Sequence, residues 1–331
     1  MTYARKTLAS LRDTPYYHVV ARCVRRAWLW GFDEYAGCDY SHRKTWVLER
    51  LTLLSSMFAI DICAYAVLSN HYHLVLKVDR ERAMTWSHAE VMARWTMLFG
   101  TPVLVERWRT GQASTAEAQV ALSIIEGWRT RLYDISWFMR CLNQHLAQRA
   151  NAEDSCTGRF WQGRFRSQAL VDQVGLLTAM AYVDLNPVRA GIATTPAESE
   201  FTSIYQRIVE MQGTLMAAAD AHVPLLAFEA AAGGTTVSAV TLPCCFSDYL
   251  ALLDWTARAV RTNKHEANDD GLPPIINRLG IDAAAWELAM RPHGNVFGRA
   301  MGKLDALQLH ARTLGQSGVR GLRQAERMYS R

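Results

Sequence analysis

Two histidines one residue apart are the side chains best spaced to do chemistry in this chain. His71 and His73 lie in the run Tyr65-Ala-Val-Leu-Ser-Asn-His-Tyr-His-Leu-Val-Leu-Lys77. On a strand, successive side chains point to opposite faces, so the two imidazoles share a face and reach toward one point in space. They read either as half of a divalent-metal site or as a hydrogen-bonded structural pair. A second set of groups lies far downstream, in Tyr182-Val-Asp-Leu-Asn186. On a helix Tyr182 and Asn186 stand at i and i+4, on one face. Brought to the histidines, a phenol and an amide oxygen would complete a nucleophile-plus-metal centre. The ion polarises a scissile phosphate and stabilises its developing charge, and the tyrosine oxygen attacks phosphorus to form a covalent phosphotyrosine. A phenol with a pKa of about 10 needs the field of the ion, so the two must be close. Simpler roles stay open: Tyr182 as a core aromatic, and Asn186-Pro187 as a helix stop. Tyr16, Tyr17, Tyr65 and Tyr72 are rival nucleophiles, but tyrosines in strands are usually packing residues.

These groups need elements to hold them. Tyr16 to Arg25 reads as a first strand, with His18, Arg22 and Arg26 on one face. Helical spacing follows through Trp46, Leu48, Leu51 and Leu54, with Ser41 as its N-cap. Residues 62–68 and 71–78 form a hairpin turned at Ser69-Asn70. Residues 82–98 read as helix, Gly100 to Ser114 as an exposed loop, and Thr115 to Arg149 as mostly helix. Phe160 to Val171 reads as a strand and Asp172 to Leu185 as a helix ended by Asn186-Pro187. The order β-α-β-β-α-β-α predicts an α+β domain: a ferredoxin-like antiparallel sheet with helices on one face. Beyond residue 200 the pattern weakens, with a short strand over 235–242, a helix over 246–261 and helix again from Arg299. This predicts a mainly helical C-terminal region, and the length of 331 residues suits two units divided near 199/200.

The net charge of +5 is unevenly spread. Residues 1–200 hold 23 basic against 19 acidic side chains, residues 201–291 hold 6 against 10, and residues 292–331 hold 7 against 2. A basic front and tail around an acidic middle suit a polyanion partner. Arg22, Arg25, Arg26, Arg164, Arg166 and Arg189 are candidate phosphate contacts, which position a nucleic acid without reading it. Trp161 and Phe165 offer faces for unpaired bases, though a core role suits them as well. The seven cysteines have no C-x-x-C pair or metal-ligand spacing and read as reduced thiols. No signal peptide or membrane span is evident, and a cytoplasmic location is expected.

Three separated motifs carry a resemblance: the His71-Tyr72-His73 run above, Gly158-Arg-Phe-Trp-Gln-Gly-Arg-Phe165, and Tyr182-Val-Asp-Leu-Asn-Pro-Val-Arg-Ala-Gly191. Together, in this order, they resemble the single-tyrosine HUH transposases, and most of all their REP-associated tyrosine transposase branch. The resemblance covers about residues 14–192. It implies that His71, His73 and Asn186 bind a divalent metal, Mg²⁺ or Mn²⁺, and that Tyr182 is the nucleophile. It further implies cleavage of single-stranded DNA next to a hairpin, leaving a 5′-phosphotyrosine and a free 3′-hydroxyl. Residues 79–131 exceed the compact family core and read as an insertion, and the region after 200 exceeds it altogether. Two other readings fit: a domesticated, non-catalytic binder of structured single-stranded DNA, and a metal-dependent hydrolase that forms no adduct. A homodimer pairing one chain's histidines with another chain's tyrosine is also compatible with the sequence.

Overall fold

The computed structural model describes residues 14–24, 31–33, 37–213, 222–230, 241–262, 271–291, 298–316, 318–319 and 321–329. The Tyr-Tyr-His-Val-Val-Ala-Arg run forms β1 (Tyr16–Arg22), followed by the small pair β2 (Phe32–Asp33) and β3 (Cys38–Asp39). Helix α1 (Arg43–Met57) buries Trp46, Val47, Leu51 and Leu54, the stripe that 3.6-residue spacing produces. Its N-cap is His42 rather than Ser41, without a side-chain cap bond. β4 (Ile60–Val67) and β5 (His71–Val78) form the hairpin, whose turn is closed by the Leu68 N–H on the His71 carbonyl at 2.9 Å.

The expected insertion is helical: α2 (Arg80–Thr85), α3 (His88–Thr96), α4 (Val103–Arg109) and α5 (Thr115–Leu132). Capping boxes at Ser87/Glu90 and Ser114/Glu117 start α3 and α5. Helix α4 takes the place of much of the loop expected over 100–114. Pro102 sits at its N-cap and Gly111, at φ 71°, just past its end, so these breakers delimit a helix instead of preventing one. After α6 (Ile135–Glu153), β6 (Arg166–Leu170) begins later than the strand expected from Phe160, because the chain bends at Gln162-Gly163-Arg164. Next come α7 (Gln173–Asp184) and the single turn α8 (Asn186–Arg189), which opens directly at the Asn-Pro stop. The C-terminal region contains α9 (Ser203–Met211), β7 (Phe228–Glu229), β8 (Leu242–Cys245), α10 (Phe246–Thr262), α11 (Pro274–Leu279) and α12 (Ala283–Met290). It closes with β9 (Ala300–Met301), α13 (Leu304–Thr313) and α14 (Leu322–Met328). Residues 235–240 of the short expected strand lie outside the described residues, and the helix expected from Arg299 opens as β9.

The fold is α+β around a five-stranded sheet of order β4-β5-β1-β6-β9. All neighbours are antiparallel except β6 and β9, which run parallel. Helices cover both faces of the sheet, which corrects the expectation of one. Tyr72 donates its hydroxyl proton to Asn143 of α6 at 2.6 Å, while the adjacent His73 faces Tyr182 of α7 with ring centroids 5.8 Å apart. Neighbouring residues on a strand point oppositely, so α6 and α7 lie on opposite sides. The cause is in the sequence: Ile-Asp-Ile-Cys-Ala-Tyr-Ala-Val and Leu-Val-Leu-Lys-Val are apolar at nearly every position, and a sheet wet on one side would alternate.

Helix α7 is apolar nearly all round and is buried between the sheet and the C-terminal region. Gly175 makes its contact with β9 possible, since a Cβ there would stand 2.3 Å from the Met301 carbonyl oxygen. Asp184, at the other end of α7, accepts from the Ser203 hydroxyl, the Ile204 N–H and the Tyr249 hydroxyl, and Tyr329 donates to Thr178. Among the described residues, α9, α10, β9 and the residue after α14 all close on α7 or on the sheet. No helix among the described residues is long and apolar enough to cross a membrane, and none of the seven cysteines is in a disulfide.

Candidate active site

β1, β5, β6 and α7 bring the chemically capable side chains together. The β1–β5 register sets Val20 opposite His73 and Arg22 opposite His71; the β1–β6 register sets His18 opposite Gln168 and Val20 opposite Arg166. His18, Arg22, His71, His73, Arg166 and Gln168 therefore share one face of the sheet. Helix α7 lies over that face and turns Tyr182 into it, with its ring 5.8 Å from His73 and 6.1 Å from His18, both edge-on. Asn186, one turn later, places its amide nitrogen 3.3 Å from His73 Nε2. His71 and His73 stand with ring centroids 4.9 Å apart. All four predicted site residues thus meet within one chain.

The outer nitrogens of the two imidazoles are held from behind. His71 Nδ1 is 2.6 Å from Asn70 Oδ1, and because that oxygen only accepts, the imidazole donates from Nδ1 and keeps Nε2 bare. His73 Nδ1 is 2.9 Å from His18 Nε2, and the two rings stack at 12°. His18 Nδ1 in turn meets Gln168 Oε1 at 3.2 Å. Burial lowers the pKa of His18 to about 4 and, with the nearby Arg22 charge, that of His71 to about 4. Burial foremost, then the neighbouring His18, His71 and Arg189, lowers His73 well below the ordinary imidazole range. All three rings are neutral at pH 7, the state a metal ligand requires.

The donor set suits a hard-to-borderline divalent ion. His71 and His73 could offer nitrogen, and the Asn186 amide, if turned over, oxygen; a mixed N/O set of that kind would suit Mn²⁺ well and Mg²⁺ acceptably. Among the described residues no three His, Cys, Asp or Glu side chains form a ligand cluster, so an amide is the third donor this site offers.

The arginines divide. Arg22, Arg164 and Arg166 are exposed, and Arg22 and Arg166 stand on the histidine face itself. Arg189 is half-buried: Nε and Nη2 donate to the Met290 and Arg291 carbonyls at 2.6 and 2.9 Å, and the guanidinium lies 4.0 Å from the Tyr182 ring centroid. It satisfies carbonyls at the end of α12 and braces the tyrosine. Arg25 and Arg26 lie outside the described residues. Trp161 packs edge-on against Tyr72 and donates Nε1–H to the Asn143 carbonyl at 2.8 Å, on the side of the sheet away from the histidines. Tyr65 and Tyr72, as rival nucleophiles, are core residues that donate to Gln206 and Asn143. His18 and Gln168 were not among the anticipated site residues. The strand parity that puts His18 beside Arg22 hints at the first; Gln168 carries no signal without the β1–β6 register.

No family model matches the chain, and no curated protein matches it. Among solved structures, it is similar to "Structure of the REP associates tyrosine transposase bound to a REP hairpin", with a TM-score of 0.39 and 13% identity over 72% of this chain and 100% of that one. So loose an overlap does not bear on chemistry.

Proposed function

We propose that the chain is a metal-dependent endonuclease and strand transferase of single-stranded DNA that acts beside hairpins through a 5′-phosphotyrosine on Tyr182. One observation carries this reading: His71, His73, Asn186 and Tyr182 converge from β5 and the α7–α8 junction on one face of the sheet. The order β4-β5-β1-β6, antiparallel throughout, supports a ferredoxin-like core of the kind that single-tyrosine HUH transposases use, here extended by β9. A divalent ion held by His71, His73 and Asn186 would polarise the scissile phosphate and stabilise its developing charge. The neutral, backed imidazoles keep their Nε2 atoms available, and Arg189 holds the Tyr182 ring against His73. In the first step the Tyr182 oxygen bonds to phosphorus as the P–O3′ bond breaks; the phenolic proton passes to solvent and the 3′-oxygen leaves as a hydroxyl. In the second, an incoming 3′-hydroxyl attacks the phosphotyrosine, which restores Tyr182 and seals the new junction. Arg22 and Arg166 are placed to hold flanking phosphates. The nucleophile and the histidines share a chain, so a monomer suffices for this chemistry and a homodimer is not required to complete it.

Incubating the protein with Mn²⁺ and 3′-labelled single-stranded DNA that contains a hairpin should give a labelled adduct that survives denaturation. Tyr182→Phe should abolish it. An adduct in the Phe variant overturns the nucleophile; cleavage without an adduct favours a hydrolase, and binding without cleavage a domesticated binder.

A further inference from the structure

We infer that Gly298, Gln168 and His18 form a hydrogen-bond relay that dictates which nitrogen of His73 carries the proton. The Gly298 carbonyl can only accept, so Gln168 must donate to it from Nε2, at 2.9 Å. That fixes the amide: its other limb, Oε1, faces His18 Nδ1 at 3.2 Å and can only accept. His18 therefore carries its proton on Nδ1. A neutral imidazole has one N–H, so His18 Nε2 is a lone pair and accepts from His73 Nδ1 at 2.9 Å. His73 is left as its Nδ1–H tautomer, with Nε2 bare and turned to Asn186. Each assignment is forced by the one before it. Turning the Gln168 amide over would set its oxygen against the Gly298 carbonyl.

The relay depends on the C-terminal region. Gly298 reaches Gln168 because the chain runs alongside β6 as it enters β9: the Ala169 N–H donates to the Arg299 carbonyl at 3.0 Å and the Val171 N–H to the Met301 carbonyl at 2.9 Å. Residues more than a hundred positions beyond Asn186 thus orient a side chain of the candidate centre. His18 and Gln168 are positioning residues, acting on His73 and not on DNA. The use of a bare Nε2 rests on the proposed metal site; the protonation pattern itself belongs to the metal-free protein.

Long-range ¹H–¹⁵N correlation on the full chain with ¹⁵N-labelled histidine, metal-free at pH 7.5, reads both tautomers. His18 and His73 should both appear as Nδ1–H, the reverse of the form free histidine favours. Gln168→Leu and His18→Leu should shift His73 toward Nε2–H and weaken Mn²⁺ binding by about tenfold. A wild-type His73 protonated on Nε2 overturns the relay without any variant, as does an unchanged tautomer in a folded Gln168→Leu protein. The expected tautomers in a protein that binds no Mn²⁺ would uphold the relay and sink the metal reading.

Discussion

At the scale of single residues, the site is set by what burial does to imidazole. As the proposed ligands, His71 and His73 could bind an ion only while their nitrogens are unprotonated. An imidazole of ordinary pKa, about 6.5, is half protonated at that pH and loses about tenfold in metal affinity by pH 5.5. His71 is pushed down to about 4 and His73 lies well below the ordinary range, so protons begin to compete only in more acidic solution. Mn²⁺ affinity measured by calorimetry should therefore be nearly flat from pH 8 to 5.5 and fall below that. A loss already centred near pH 6.5 would mean that the imidazoles are solvated and the site is open. The same shifts act on the metal-free fold. The unfolded chain binds protons that folded His18 and His71 refuse, so their contribution to stability is complete above about 6.5 and is lost as pH falls toward 4.

At the scale of elements, the legible parts were those whose signal is local. The hairpin showed in its apolar runs around Ser69-Asn70, α1 and α7 in their spacing, and the Tyr182–Asn186 pair in the helical repeat. What escaped depends on register or on distant partners. Helix α4 hid behind Pro102 and Gly111, which serve as its boundaries. Strand β9 is two residues long, too short for any period, and exists because β6 offers it an edge. The second helical layer was readable in principle from the unbroken apolarity of β4 and β5, but an expected ferredoxin-like order drew the helices to one side. Asp184 is the plainest case: a carboxylate in an apolar helix, explained only by Ser203, Ile204 and Tyr249 arriving from further along the chain. Burial raises its pKa to about 6, against the lowering effect of those donors and of the Arg207 charge. A raised folded-state pKa means that its contribution to stability is complete below about 3.8 and lost as pH rises through about 6. Asp184→Asn removes the charge while keeping the shape. The melting temperature of the variant, relative to wild type, should therefore improve as pH rises from 4 to 8. The opposite slope would show that the paired carboxylate stabilises the junction in its charged form.

At the scale of the whole molecule, charge and fold set different demands on the same C-terminal residues. The segment 292–331 is strongly basic, and Arg312, Arg323 and Arg327 are exposed, which suits added affinity for DNA phosphates. Deleting that segment would not test the idea, because it also supplies β9, the Gly298 carbonyl and the Tyr329 contact with α7. Neutralising charges in place separates the two roles. Each lost phosphate contact on a single strand should reduce the slope of log affinity against log salt by about 0.7. In a Tyr182→Phe background, which under the proposed mechanism should bind without forming an adduct, Arg22→Gln with Arg166→Gln should flatten the slope for a hairpin-bearing single strand by about 1.4. Arg312→Gln with Arg323→Gln and Arg327→Gln should flatten it further if the strand runs from the histidine face onto the tail. A triple tail variant with the parent slope would confine the DNA to the sheet face and leave the C-terminal region a purely architectural role, as the support of β6 and α7.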